Sequence, residues 1–156
     1  MDSSKAAIQA GPVRVRFLVD ADDSGGSVTV FECRVPPSVR APAPHSHDGF
    51  EETIYGLQGV STWTIDGRDR DVGPGEAVCI ARGSIHAFAN RGSSDATFLA
   101  VATPGVFGPA YFREIAEVAA AAQGGPPDLA AIGEVMRRHG LTPAQPVREG
   151  RAERRG

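Results

Sequence analysis

The chain has 156 residues, a formal net charge of −3, 19 glycines and 12 prolines. This length is typical of one domain with its own core, and so many turn-forming residues favour an all-β fold of short strands. The negative charge argues against nucleic acid as a partner, because proteins that bind it usually carry a basic face. The sequence has no apolar run of membrane-spanning length and no recognisable signal core, so we expect a cytoplasmic protein without a membrane partner.

Alternating apolar and polar residues predict a series of short strands between residues 13 and 104. Residues 1–12 lack this periodicity and are predicted to form a flexible arm. The strands follow one another at short intervals with turn residues between them, which is typical of a β-sandwich or barrel. The predicted strands cover residues 13–19, 28–35, 53–57, 60–65, 77–81, 86–90 and 97–103.

The composition changes in the last third of the chain. Residues 109–122 carry Ala and Glu at helical density, with apolar residues spaced for one face. The run Gly124-Gly125-Pro126-Pro127 ends this helix, and Asp128 can cap a second one. We predict that residues 105–140 form two helices that pack on the barrel, and that residues 141–156 form a flexible tail.

The pattern with the most chemical information is a His-Ser-His sequence, followed by a carboxylate and later by a third histidine. Side chains at i and i+2 of a strand face the same side, so His45 and His47 can bind one ion. A helix would not allow this, because its neighbouring side chains are three or four residues apart. Imidazole ligands select Fe, Mn, Ni, Co, Cu or Zn over Mg or Ca. The predicted metal ligands are His45, His47, Glu52 and His86.

Two segments of the chain resemble the paired sequence motifs of the cupin superfamily. The resemblance covers roughly residues 13–104, and Ala81 stands where the family usually has proline. It implies a double-stranded β-helix, which is a jelly-roll or cupin barrel, with a short C-terminal helical extension like that of small quercetinase-like bacterial cupins. The matching residues are His45, His47, Glu52, Gly59, Gly75, Gly83, His86 and Asn90.

Glu51 competes with Glu52 for the role of the carboxylate ligand. Adjacent residues of a strand face opposite ways, so only one of the two can point inward. The motif spacing to Gly59 and the gap from His47 both favour Glu52. Glu51 is then expected on the outer face.

Several aromatic residues fall on or beside the predicted strands and could line a cavity. Aromatic residues at alternating positions more often belong to a plain core, so their contact with a substrate is a hypothesis. The candidates for substrate binding are Phe50, Tyr55, Trp63, Phe88 and Phe98.

The two cysteines, Cys33 and Cys79, lie in predicted strands that are far apart in sequence. We predict that both are buried free thiols and that they form no disulfide. The strand of Cys79 leads towards His86, which could place this thiol near the cavity.

The resemblance implies a metal-dependent dioxygenase of quercetinase type that acts on a small hydroxylated aromatic or enolic compound. Glu52 would be both a ligand and the proton acceptor for a substrate hydroxyl, and the cofactor would be one divalent metal, Fe, Mn, Ni or Co, with Zn as an alternative. A non-redox lyase, isomerase or polyketide-type cyclase is the second interpretation, and a binding protein without turnover is the third, because cupins host many functions. The resemblance also implies a homodimer.

Overall fold

The chain folds into two antiparallel β-sheets that are completed by helices. The computed structural model describes residues 5–144, except for the side chains of residues 41 and 42. The strands are β1 (Ile8–Ala10), β2 (Val13–Val19), β3 (Thr29–Val35), β4 (Arg40–His47), β5 (Glu51–Gln58), β6 (Ser61–Ile65), β7 (Arg68–Val72), β8 (Ala77–Ile80), β9 (His86–Ala89), β10 (Ala96–Thr103) and β11 (Leu141–Pro143). The helices are α1 (Ala21–Ser24), α2 (Pro109–Ala121) and α3 (Leu129–Arg138).

The strand order is that of a jelly roll. One sheet has the order β1-β2-β3-β10-β5-β8 and the other has the order β11-β4-β9-β6-β7. Neighbours such as β3 with β10 and β4 with β9 are far apart in sequence, so the chain crosses repeatedly between the sheets. The predicted all-β jelly-roll barrel with a C-terminal helical extension is therefore confirmed.

The core forms where the inner faces of the sheets meet. In β2, Val13, Val15 and Phe17 are buried while the residues between them face outward. The same alternation buries Phe98 and Ala100 in β10, because side chains of a strand point to opposite faces in turn. Each large apolar side chain buried in this way stabilises the fold by about 1.5–3 kcal/mol.

Two short strands form where flexible segments are predicted. Residues 8–10 form β1, which pairs with β2 and contacts α2. The prediction of a flexible arm is therefore wrong at these residues. Residues 141–143 form β11, which pairs with β4 through Leu141, a residue only 1% exposed. Three residues are too few to show a period, and both strands are fixed by their partners. The rest of the predicted tail, residues 145–156, lies outside the described residues, as do residues 1–4.

Helices α2 and α3 lie along one side of the barrel. Phe112 and Ile115 from α2 and Ile132 from α3 pack against the core. Helix α3 begins at the cap Asp128, whose carboxylate accepts hydrogen bonds from the backbone of Ala130 and Ala131. No helix in the part of the chain that the structure describes is long and apolar enough to cross a membrane.

Candidate metal centre

Three histidines meet on the inner face of the five-stranded sheet. His45 and His47 lie two residues apart on β4, and His86 at the start of β9 is the direct cross-strand partner of His45. Each offers one ring nitrogen, and these three nitrogens lie within 4.8 Å of one another. The side chains are 2–5% exposed. The period-two argument therefore places both residues of the His-Ser-His pair on one side, facing the third histidine.

The hydrogen bonds of the histidines fix which nitrogen faces the centre. His45 Nδ1 lies 2.9 Å from the carbonyl oxygen of Ala43, and His86 Nδ1 lies 3.0 Å from that of Ser84. Since a carbonyl only accepts, both Nδ1 atoms donate, and each Nε2 presents a lone pair to the centre. Outer contacts of this kind are typical of metal-ligating histidines, so the donor set fits a borderline transition metal.

The third ring completes the group. His47 Nε2 lies 3.2 Å from His45 Nε2. His47 Nδ1 is buried and has no hydrogen-bond partner among residues 5–144. The ring stacks on Phe50, with 4.2 Å between the ring centroids. Its orientation is thus held by packing.

Burial keeps two of the histidines neutral. Loss of solvation, with the nearby His86 as second cause, lowers the pKa of His45 to about 4. The same causes lower the pKa of His47 to about 2. Neutral imidazole is the form that binds a metal, so near neutral pH these rings need not lose a proton first.

Glu52 faces the histidines, and Glu51 does not. The carboxylate oxygen Oε2 of Glu52 is 3.7 Å from Nε2 of His47 and 3.7 Å from Nε2 of His86. These distances are too long for hydrogen bonds, so the side chains surround a common space. Glu51 points outward on the same strand and pairs with Arg82, whose Nε lies 2.7 Å from its Oε1.

A cavity of about 410 Å³ extends from this group to the helices. This volume lies within the range of small-molecule sites. Apart from the histidines and Glu52, its polar lining side chains in the described chain are Cys33, Arg40, Trp63 and Tyr111. Aromatic side chains form much of the wall, namely Phe31, Phe88, Phe98, Phe107 and Phe112. The cavity therefore suits a largely apolar ligand that presents few polar groups.

The five predicted substrate-binding residues lie in three different environments. Trp63, Phe88 and Phe98 line the cavity. Phe50 is buried behind His47 and is not part of the lining. The prediction for Tyr55 is wrong, because its side chain is 43% exposed on the outer face of β5, opposite in direction to Glu52.

The structure agrees with the prediction for Cys33 and contradicts the one for Cys79. Both are free, but Cys79 is exposed, so the prediction that it is buried and near the cavity is wrong. Cys33 is buried on β3 and lines the cavity. Burial, with the charges of Glu52 and Glu32 as lesser causes, raises the pKa of the Cys33 thiol.

Residues around α2 complete the cavity wall, and none of them was a predicted site residue. Phe107, Tyr111 and Phe112 line the cavity from the side of the helix. The spacing of apolar residues could predict an amphipathic helix, but it does not tell whether the helix faces a cavity or the barrel exterior. Burial, followed by the charge of Glu52, raises the pKa of the Tyr111 hydroxyl.

The chain matches one family model and several solved structures. Residues 31–102 match the family model described as a cupin domain. The polyketide cyclase RemF from Streptomyces resistomycificus is 32% identical, with 65% of this chain and 70% of that chain covered and a TM-score of 0.54. A sugar phosphate isomerase from Silicibacter pomeroyi is 25% identical with a TM-score of 0.53, and the match covers 60% of each chain, less than two thirds of that protein.

A third structure supports the fold alone. KdgF from a Halomonas species is 13% identical, with 67% of this chain and 92% of that chain covered and a TM-score of 0.58. No curated protein sequence matches the chain. The domain match, the relative at 32% identity and the jelly-roll topology agree with one another. This chain belongs to the cupin superfamily.

Proposed function

We propose that the chain is a metal-dependent enzyme that cyclises a hydroxylated aromatic or enolic compound of polyketide type. The observation that carries this proposal is the position of the histidine–Glu52 group at the end of an aromatic, apolar cavity. The 32% identical relative is a polyketide cyclase, which supports the same class of substrate.

The character of the cavity argues against a sugar phosphate as the substrate. Such a ligand carries many hydroxyls and a phosphate, and each would need a partner when removed from water. Arg40 is the one cationic side chain that lines the cavity in the described chain, and it is exposed. Most of the wall offers no hydrogen bond at all. A fused aromatic or polyketide-like compound loses far less when it enters this space.

His45, His47 and His86, with Glu52, are the residues that would hold the metal. When bound there, a divalent transition metal supplies Lewis-acid polarisation of a substrate oxygen. The Glu52 carboxylate faces the cavity beside two of the imidazoles, where it can accept a proton from a substrate hydroxyl or from an acidic carbon. The aromatic walls exclude water, which strengthens every charge interaction at the reacting atoms.

A dioxygenase of quercetinase type is the second candidate. The three histidines and Glu52 would hold a redox-active metal such as Fe, Mn, Ni or Co, which when bound would supply the electron transfer that a reaction with O₂ requires. The same aromatic cavity would accept a flavonol. The choice between the two reactions therefore depends on whether turnover consumes O₂.

Two substrates distinguish the candidates. One substrate is a 1-(2-hydroxyphenyl)-1,3-diketone, whose phenol oxygen adds to the distal carbonyl and whose ring closure releases water. The other is a flavonol, whose cleavage consumes O₂. Both are incubated with metal-loaded protein in air and without O₂. Anaerobic conversion of the diketone supports the cyclase, and O₂ uptake matched to flavonol loss supports the dioxygenase. Binding of both compounds without conversion of either would refute both reactions.

Matched carboxylate variants show whether the site is responsible. Glu52→Gln removes the inward proton acceptor, and we expect conversion to fall at least about 100-fold, as for the loss of a general base. Glu51→Gln changes the neighbouring outward carboxylate and should leave conversion unchanged. Equal activity in the two variants would contradict the role of Glu52.

The expectations about partners stay predictions. They are a small-molecule substrate, a homodimer and no binding of nucleic acid. Light scattering of the purified protein measures its mass in solution. A mass of one chain at micromolar concentration would contradict the homodimer.

A further inference from the structure

Tyr111 is a buried hydroxyl donor that the proposed chemistry does not yet use. It lies in the first turn of α2, is 4% exposed and lines the cavity. Its ring packs against Phe107, Phe112 and His139, with centroid separations of 4.9, 5.0 and 5.7 Å. Aromatic contacts on several sides hold the ring in place, so the position of the hydroxyl is well defined.

The Tyr111 hydroxyl makes no hydrogen bond within residues 5–144, although buried polar groups usually have partners. Two side-chain atoms in the described chain are fully enclosed without a partner, Thr29 Oγ1 and His47 Nδ1, and the Tyr111 oxygen is not one of them. The hydroxyl therefore keeps access to open space. Because Tyr111 lines the cavity, an occupant of the cavity can supply the missing partner.

Several other polar side chains of the cavity already have partners within the protein. Trp63 Nε1 donates to Ser61 Oγ at 3.0 Å. His45 and His86 donate from Nδ1 to backbone carbonyls. Of the rest, Arg40 is exposed and Cys33 offers only a weak thiol donor. Tyr111 thus supplies the one hydroxyl among the described lining residues.

Tyr111 lies one aromatic ring away from the metal centre. Phe107 packs against Tyr111 at 4.9 Å and against His47 at 6.3 Å between ring centroids. The charge of Glu52 also contributes to raising the pKa of Tyr111, which agrees with proximity and keeps the phenol protonated as a donor. A ligand with one oxygen at the histidines can therefore place a second oxygen near Tyr111.

We propose that Tyr111 donates a hydrogen bond to a second oxygen of the substrate, a carbonyl that lies about one ring away from the oxygen held at the histidine–Glu52 group. This inference rests on the proposed function and narrows its substrate class to hydroxylated aromatic ketones. Two fixed polar points can set the orientation of a flat ligand, because most of the remaining wall is apolar and Arg40, the other strong donor, is exposed.

Two ligands that differ by one oxygen test the assignment. 5-Hydroxy-1-tetralone carries a phenol on one ring and a ketone on the other, and 5,6,7,8-tetrahydro-1-naphthol lacks only the ketone. Both are titrated into Zn²⁺-loaded protein while the fluorescence of Trp63, the single tryptophan, is recorded. Trp63 lines the cavity with its ring centroid 6.4 Å from that of His86, so it reports occupancy near the metal centre.

The two tyrosines provide a matched pair of variants. The wild-type protein should bind the hydroxytetralone about 3- to 10-fold more tightly than the tetrahydronaphthol, which is the difference in affinity expected for one hydrogen bond. Tyr111→Phe should abolish this ratio, and Tyr55→Phe, on the outer surface, should keep it. Any effect of the ketone on phenol acidity cancels, because the ratio is compared between variants.

Each other outcome has one meaning. A ratio that persists in Tyr111→Phe overturns the assignment, as does a wild-type protein with no preference for the ketone. A folded Tyr111→Phe protein that loses both ligands alike shows a structural role and also overturns it. If neither ligand binds to the wild-type protein, the proposed function fails, whatever the variants do.

Discussion

Replacing Gly59 by alanine should destabilise the fold through two separate costs. Gly59 has a φ of +63°, where a side chain costs about 1–2 kcal/mol. An added Cβ would also lie 2.3 Å from the backbone oxygen of Asp95, about 1 Å closer than an ordinary contact. Because the neighbour is backbone, it cannot rotate away, and forced contacts of this kind cost about 1–3 kcal/mol. We expect a total loss of about 2–5 kcal/mol in the free energy of unfolding.

Gly67→Ala is the matched control for this substitution. Gly67 has a φ of +80° in the turn between β6 and β7, and an added Cβ meets nothing within 4 Å. It should therefore show the conformational cost alone, about 1–2 kcal/mol. Changes in the entropy of the unfolded chain are shared by both variants and cancel in the difference.

Urea unfolding followed by tryptophan fluorescence measures both variants, and metal content is measured on the folded proteins. Gly59→Ala should be less stable than Gly67→Ala by about 1–3 kcal/mol, and both should still bind metal. Equal stabilities would refute the clash argument. If a folded Gly59→Ala protein lost its metal, the glycine would be needed for metal binding as well as for the close packing of the β5–β6 turn against the start of β10.

Three further outcomes follow from burial. The pKa values of His45 and His47 in the folded protein lie below the value of about 6.5 for an unfolded chain, so protons bind more readily to the unfolded state. Metal-free protein should therefore have its full stability above about pH 6.5 and lose about 1–3 kcal/mol between pH 7 and 5.5. A free energy of urea unfolding that does not change with pH would contradict this. In native protein a thiol reagent should modify Cys79 rapidly and Cys33 only after urea is added, and two fast thiols would refute the assignment. Leu141→Ala should cost about 2–5 kcal/mol in thermal or urea unfolding, since the side chain is 1% exposed, whereas a flexible tail would show no effect.

The polar part of the site follows from the period of a strand. The two-residue spacing predicts that His45 and His47 face one side, and the structure brings them to His86 and Glu52. The same rule excludes Tyr55, because Glu52 points inward and a residue three positions further along the strand must point outward. Once Glu52 is assigned to the inner face, the period of β5 alone places Tyr55 on the outer face.

The rest of the cavity depends on tertiary contacts that no local pattern encodes. The strand β11 exists because its partner β4 is there, and this pairing attaches the end of the helical segment beside His45 and His47. Packing of α2 against the barrel, and not its sequence period, determines that Tyr111 faces the cavity.

The site therefore has two sources. Strands β4, β5 and β9 position the three histidines and Glu52. The segment around α2 and α3 contributes aromatic side chains, including Tyr111, to the cavity wall. Changes in that helical segment could alter the accepted ligand without touching the histidines. Structural relatives named as a sugar phosphate isomerase and as a polyketide cyclase share this fold, so the chemistry of the cavity wall is a better guide to the substrate than the fold is.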